Sequence, residues 1–88
     1  MFEITILTQD SCAFCDQAKH ILSRLAMDYP LSIREIRLDT EEGRNLAIQH
    51  GVMFAPGIFT DGTLFSYGRL SEKKLQRHLE REKAKENI

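Results

Sequence analysis

A chain of 88 residues, 42% of them apolar, is long enough for one modest core and is read as a single domain over 1–88. Twelve Lys and Arg interspersed with thirteen Asp and Glu give a net charge of −1, which excludes the basic footprint of a nucleic-acid or membrane-surface binder. No apolar run nears the ~20 residues of a membrane span, and Met1-Phe2-Glu3 opens no secretory signal, so a cytoplasmic protein is expected.

Phe2, Ile4 and Ile6 alternate with Glu3 and Thr5, and Leu7 follows, which reads as a first strand ending near Thr8. In the turn Gln9-Asp10-Ser11, Asp10 or Ser11 is expected to cap a helix from about Cys12 to Asp28. Phe14, Ala18, Ile21, Leu22, Leu25 and Ala26 are spaced for one apolar face of that helix. Tyr29-Pro30 ends it, because a residue before proline avoids helical dihedrals. Leu31, Ile33, Ile36 and Leu38 mark a second strand. Asp39 or Thr40 then caps a short helix bearing Leu46, Ala47 and Ile48, and Gly51 suits its left-handed C-terminal position. Ile58-Phe59-Thr60 and Thr63-Leu64-Phe65 flank Asp61-Gly62, a two-residue hairpin signal. Gly68 breaks that strand, and Ser71 caps a last helix whose apolar stripe is Leu75 and Leu79 after Leu70. From Glu80 to Asn87 nearly every residue is polar, so that charged tail reads as a solvated, fraying helix end. The order β-α-β-α-β-β-α makes the chain α/β. The βαβ crossover sets its two strands parallel, and the hairpin adds an antiparallel pair. The expected product is a four-stranded mixed sheet with helices on both faces.

Cys12 and Cys15 are the only cysteines and stand as C-x-x-C where the first strand meets the first helix. In a reducing compartment such a pair is catalytic or metal-binding rather than a structural staple. Disulfide exchange needs a thiolate to attack and a second thiol close enough to resolve the mixed disulfide. A helix N-terminus stabilises that thiolate. At about 100° per residue Cys15 falls at the edge of the apolar face and Cys12 roughly 60° beyond it, which predicts an exposed Cys12 and a sheltered Cys15. Asp10 and Asp16 oppose the thiolate, and Lys19 lies about 10 Å along the axis, too far for a strong pair with Cys12. A zinc site wants four ligands, and His20 lies off the face of Cys15, so no metal site is expected. His50 reads as a helix-end residue and His78 as a helix-surface residue. Phe14 is either core or a substrate contact, and Gly57 either a bulge or a place of close approach by a substrate backbone.

The element order, with C-x-x-C at that junction, resembles the thioredoxin fold, and the short N-terminus looks most like glutaredoxins and small glutaredoxin-like thioredoxins. Leu38-Asp39, Leu46-Ala47, Gly51-Val52 and Pro56 before a strand resemble the segment leading to that family's cis-proline. The likeness runs from Phe2 to about Leu79. It implies that Cys12 is the nucleophile, that Cys15 resolves, and that Pro56 is cis and packs beside them. Ala55 would then present a backbone edge to an extended substrate. Phe14 stands where glutaredoxins carry an aromatic. The implied activity is that of a monomeric thiol–disulfide oxidoreductase with no cofactor beyond its own dithiol. It would act on a disulfide-containing protein or a low-molecular-weight thiol and be recharged by glutathione or a reductase.

The chain also departs from the pattern. Ala13-Phe14 replaces the Gly-Pro of thioredoxins and the Pro-Tyr of glutaredoxins. Gln9 stands where many glutaredoxins carry a lysine, and Tyr67-Gly68-Arg69-Leu70-Ser71 replaces their Gly-Gly turn and acid. The electron donor therefore stays open between glutathione and thioredoxin reductase. Two readings from other classes remain: a copper or zinc carrier like small copper chaperones, and a non-catalytic binding module on the same scaffold. Pro56 after Val52 argues against the carrier, as does the element order.

Overall fold

The computed structural model describes residues 1–86. They run β1 Phe2–Thr8, α1 Ala13–Leu25, β2 Leu31–Arg37, α2 Glu41–His50, β3 Gly57–Thr60, β4 Thr63–Tyr67 and α3 Glu72–Glu86. The four strands form one mixed sheet in the order β2-β1-β3-β4, with β1 parallel to β2 and both other pairs antiparallel. The α/β architecture expected from the sequence is the one observed.

Alternation along β1 decides what each face holds. Phe2, Ile4 and Ile6, joined by Ile58 of β3, pack against Ala18, Ile21, Leu22 and Leu25 of α1 and against Leu75 and Leu79 of α3. Leu7 points the other way. With Ile36 and Phe59 it packs against Leu46, Ala47 and Val52 on the side of α2. Each fully buried Leu, Ile or Phe contributes about 1.5–3 kcal/mol, so the larger α1–α3 face is the main anchor of the sheet.

The turns follow their residues. Asp61 and Gly62 take φ of 49° and 84°, the left-handed pair that a two-residue type I′ hairpin turn requires. Gly51 closes α2 at φ 71°, and Thr40 caps its start by accepting from the Gly43 N–H at 3.0 Å. Ser71 Oγ accepts from the Lys74 N–H at 3.3 Å at the start of α3.

Several expectations are corrected. Regular helix in α1 stops at Leu25, and the chain continues through looser turns in which Met27 and Asp28 donate to the carbonyls of Arg24 and Leu25. Phe14 and Ala26, placed on the apolar face by periodicity, are exposed because they sit at the two ends of α1, past the strands it covers. Ile33 is exposed on β2, an edge strand, and Ile48 is exposed on α2, whose packing is made by Leu46 and Ala47. His78 is half-buried rather than on the surface: its Nε2 lies 3.2 Å from Thr60 Oγ1 and its ring tilts against Phe65. α3 is regular helix through Glu86, and the last residue of the expected fraying segment, Asn87, lies outside the described residues.

Candidate active site

β1 carries the chain to the end of the sheet at Thr8, and Gln9-Asp10-Ser11 turn it back into α1. Ser11 makes the turn at φ 53°, in the left-handed region. Neither Asp10 nor Ser11 caps the helix. The N-cap is Cys12 itself, in an extended conformation, with its Sγ accepting a hydrogen bond from the Cys15 N–H at 3.1 Å. The nucleophile candidate therefore occupies the position where a helix's unpaired N–H groups converge. Asp10 is drawn elsewhere: it accepts from Arg37 Nη1 at 2.8 Å. That hydrogen bond and the guanidinium charge hold its carboxyl below the usual range.

Cys12 and Cys15 are joined as a disulfide, with their Cα atoms 5.2 Å apart. Cys12 is half-buried, less open than its helix position predicts, whereas Cys15 is only 2% exposed. The asymmetry between an accessible sulfur and a sheltered one is as expected.

Pro56 lies at the same end of the sheet. Gly57, the first residue of β3, pairs with Leu7 at the end of β1, and the Pro56 carbonyl accepts from the Gly68 N–H at 2.8 Å beyond the end of β4. The Ala55–Pro56 bond is cis. Both residues are buried, Ala55 at 5% exposure. What this corner presents to solvent is the segment before them. Met53 is 75% exposed and Phe54 59%, and the Phe54 ring stands edge-on to Tyr67 with centroids 5.2 Å apart. Phe14, in the first turn of α1, is 47% exposed. These exposed apolar side chains form a rim at the end of the sheet that carries Cys12 and Pro56. Its Met53 and Phe54 were not singled out from the sequence, although Val52-Met53-Phe54 directly before Ala55-Pro56 is an apolar run between elements, and Tyr67 was read only as part of the segment that replaces the Gly-Gly turn.

Behind the site, the Glu35 carboxylate of β2 accepts from Thr8 Oγ1 at 2.7 Å and pairs with Lys19 Nζ at 3.0 Å. The Thr8 hydrogen bond first, then Lys19, holds this carboxyl below its ordinary value. Lys19 is thereby committed across the sheet. Arg37 is committed too, to Asp39 as well as Asp10. Among the described residues no group of three or more His, Cys, Asp or Glu side chains is arranged to hold a metal ion, and no helix is long and apolar enough to cross a membrane.

Comparison with known proteins agrees with this geometry. No curated protein matches the chain. Among solved structures, a mutant thioredoxin from Halobacterium salinarum is 24% identical over 90% of this chain and 72% of its own, with a TM-score of 0.67. A thioredoxin-like protein from Clostridium perfringens is 20% identical over 91% of this chain and 69% of its own, with a TM-score of 0.74. A malarial protein is 16% identical over 92% and 96%, with a TM-score of 0.70. These likenesses show the fold. The glutaredoxin family model matches residues 4–65, a span that holds most of β1, the Cys12–Cys15 pair, Pro56 and most of the hairpin. That match and a C-x-x-C pair at disulfide distance fit thiol–disulfide oxidoreductase chemistry, and the chain belongs to the glutaredoxin family.

Proposed function

We propose that the protein reduces or exchanges disulfides in a protein or low-molecular-weight thiol substrate through a mixed-disulfide intermediate. The observation that carries this reading is the Cys15 N–H directed at Cys12 Sγ, with Cys12 accessible at the helix start and Cys15 buried behind it. In the reduced protein the Cys12 thiolate attacks a substrate sulfur. A bond forms between Cys12 Sγ and that sulfur, the substrate S–S bond breaks, and the departing thiolate takes up a proton. Cys15 then gives up its proton and attacks Cys12 Sγ. The mixed disulfide breaks, the second substrate thiol leaves, and the Cys12–Cys15 bridge closes, so two electrons have passed to the substrate.

Phe14 and the Phe54–Tyr67 pair supply apolar contact for a substrate, with Ala55 and Pro56 as the wall beneath it. Glutathione or a reductase reopens the bridge, in a reducing cytoplasm. The test is a disulfide-reduction assay run in parallel with glutathione plus its reductase and with thioredoxin reductase. Turnover with either donor supports the reading, and so does its loss in Cys12→Ser. A fully active Cys12→Ser protein overturns the mechanism. So does stoichiometric copper or zinc on purified protein that shows no reductase activity.

A further inference from the structure

One stripe of the solvent side of α3 is basic, with the exposed Glu80 at its margin beside Lys73, Arg77 and Arg81. At about 100° per residue, Lys73, Lys74, Arg77, Arg81 and Lys85 fall within about 120° of arc opposite the Leu75–Leu79 face. Only Ala84 shares that arc, and Glu72, Glu80 and Glu82 lie outside it. Lys73, Lys74, Arg77 and Arg81 are exposed, and among the described residues none of them is in an ion pair. Glu72 is taken by Arg24 and Glu82 by Lys85. Lys73, Arg77 and Arg81 follow at i, i+4 and i+8, the spacing at which like charges destabilise a helix. A row of repelling cations on a chain of net charge −1 is local, so it is not a by-product of basic composition.

Beside this row runs an open strand edge. β4 is the last strand of the sheet, with β3 on one side only. Between β4 and α3 lies a groove of about 380 Å³ lined by Phe65, Ser66, Lys74, Arg77 and Arg81. Ser66 Oγ is buried and has no hydrogen-bond partner, alone among the buried side-chain oxygens and nitrogens of the described residues. Ser66 pairs in register with Ile58, whose side chain packs on the α1–α3 face. One groove thus combines unpaired strand edge, an apolar floor, an unpartnered hydroxyl and three cations.

We propose that this groove binds an extended acidic segment of a protein partner, added along the β4 edge with its carboxylates on Lys74, Arg77 and Arg81. The Arg77–Arg81 spacing matches: four residues of helix advance about 6 Å, and alternate side chains of an extended chain stand about 6.6 Å apart, while Lys74 stands three residues, about 4.5 Å, before Arg77. A short acidic strand fits better than a nucleic acid. Nucleic-acid affinity depends on many phosphate contacts and a long-range positive field, and a net charge of −1 supplies neither beyond a Debye length of about 8 Å. α3 begins four residues after Gly68, whose N–H is bound to the Pro56 carbonyl. The groove itself is independent of the redox reading.

The test uses a fluorescein-labelled hexapeptide of alternating Glu and Val, its Lys–Val counterpart and a 20-base-pair DNA duplex, each titrated into the full-length protein and followed by anisotropy. The acidic peptide is expected to bind, and the Lys–Val peptide not to bind. Lys74→Ala/Arg77→Ala/Arg81→Ala together should weaken the acidic peptide by about tenfold, the combined effect of three exposed ion pairs. Raising salt on the unaltered protein should weaken it similarly, a readout that survives if the triple variant folds poorly. Amide shifts in the NMR spectrum should fall on Thr63–Tyr67 and on α3. Equal binding of both peptides, salt-independent binding, shifts confined to other elements, or tighter binding of the DNA overturns the proposal. A Cys12→Ser/Cys15→Ser protein should still bind the acidic peptide, so this result and the redox assay fail separately.

Discussion

The Cys15 N–H donates to Cys12 Sγ at 3.1 Å, which makes the first cysteine the cap of the helix that holds the second. When the bridge is open, the same N–H faces a thiolate, and a hydrogen bond to an ionised acceptor is about twice as strong as a neutral one. Cys15 is buried, at 2% exposure. Brief treatment of the reduced protein with iodoacetamide at neutral pH is therefore expected to label Cys12 and spare Cys15, read by mass spectrometry of the peptides. Cys15→Ser should accumulate the mixed disulfide with substrate, because the resolving thiol is gone. Equal labelling of the two cysteines counts against the assignment of attacker and resolver.

The C-x-x-C pair, the hairpin at Asp61-Gly62 and the caps at Thr40 and Ser71 were legible because each rests on chemistry within a few residues. The parallel β1–β2 pair and the antiparallel β3–β4 pair followed from one crossover and one tight turn, whereas the antiparallel pairing of β3 with β1 is known from the structure alone. What was not legible depends on residues far apart in the chain. Residue type favoured Asp10 or Ser11 as the cap of α1. Arg37, twenty-seven positions on, takes the Asp10 carboxylate and leaves the N-cap to a sulfur. Lys19 was read only against Cys12, whereas its partner is Glu35 on the neighbouring strand. Phe14 has helical spacing for the core but lies past the strands, where periodicity carries no information about what covers it. His78 shows the reverse case, a residue placed on the surface by its polarity that Thr60 and Phe65 draw inward.

Thr8, Glu35 and Lys19 tie β1, β2 and α1 together behind the cysteines, and the tie is pH-dependent. The Thr8 hydroxyl and then Lys19 hold the Glu35 carboxyl below its ordinary 4.5. A carboxyl held low in the folded state stabilises that state above the unfolded value and loses the contribution as pH falls through the folded value. With side chains 44% and 41% exposed, solvent screens the Lys19–Glu35 pair, so its worth is about 0.2–1 kcal/mol. Glu35→Gln is expected to be less stable than the unaltered protein by about 0.5 kcal/mol at pH 7, with the gap closing as pH drops below about 4.5. Urea unfolding across that range measures it. A gap of constant size down to about pH 2.5 would show that packing, not charge, is responsible.

Phe54 is expected to act on substrate rather than on the fold. It is more than half exposed, and its contact with Tyr67 is an edge-on pair at the surface. Phe54→Ala should leave the melting temperature nearly unchanged. For an apolar peptide disulfide it should raise KM about fivefold, the loss of part of one aromatic burial. Reduction of a small polar disulfide should not change, because such a substrate reaches Cys12 without covering the rim. An equal loss on both substrates would place Phe54 in the structure of the site instead.

Gly43 is buried in the first turn of α2, where glycine is a poor helix former and alanine a good one. Space, not propensity, decides this position. A Cβ there would run into the Arg37 carbonyl oxygen, with the Leu38 Cα 3.0 Å away, and both are backbone atoms that have no rotamer to escape into. The same Arg37 carbonyl accepts from Thr40 Oγ1 at 2.6 Å, and Thr40 caps the helix through the Gly43 N–H at 3.0 Å. Moving α2 away to admit a methyl group therefore breaks its own cap and loosens Arg37, which holds Asp10 beside the cysteines. Gly43→Ala gains about 1 kcal/mol in helix propensity and is still expected to lose about 2 kcal/mol net from overpacking. In a domain of this size that lowers the melting temperature by roughly 10 °C. A Gly43→Ala protein that melts at or above the unaltered temperature would show that α2 is free to shift, and that the junction of β2 and α2 is not what fixes Arg37 at the site.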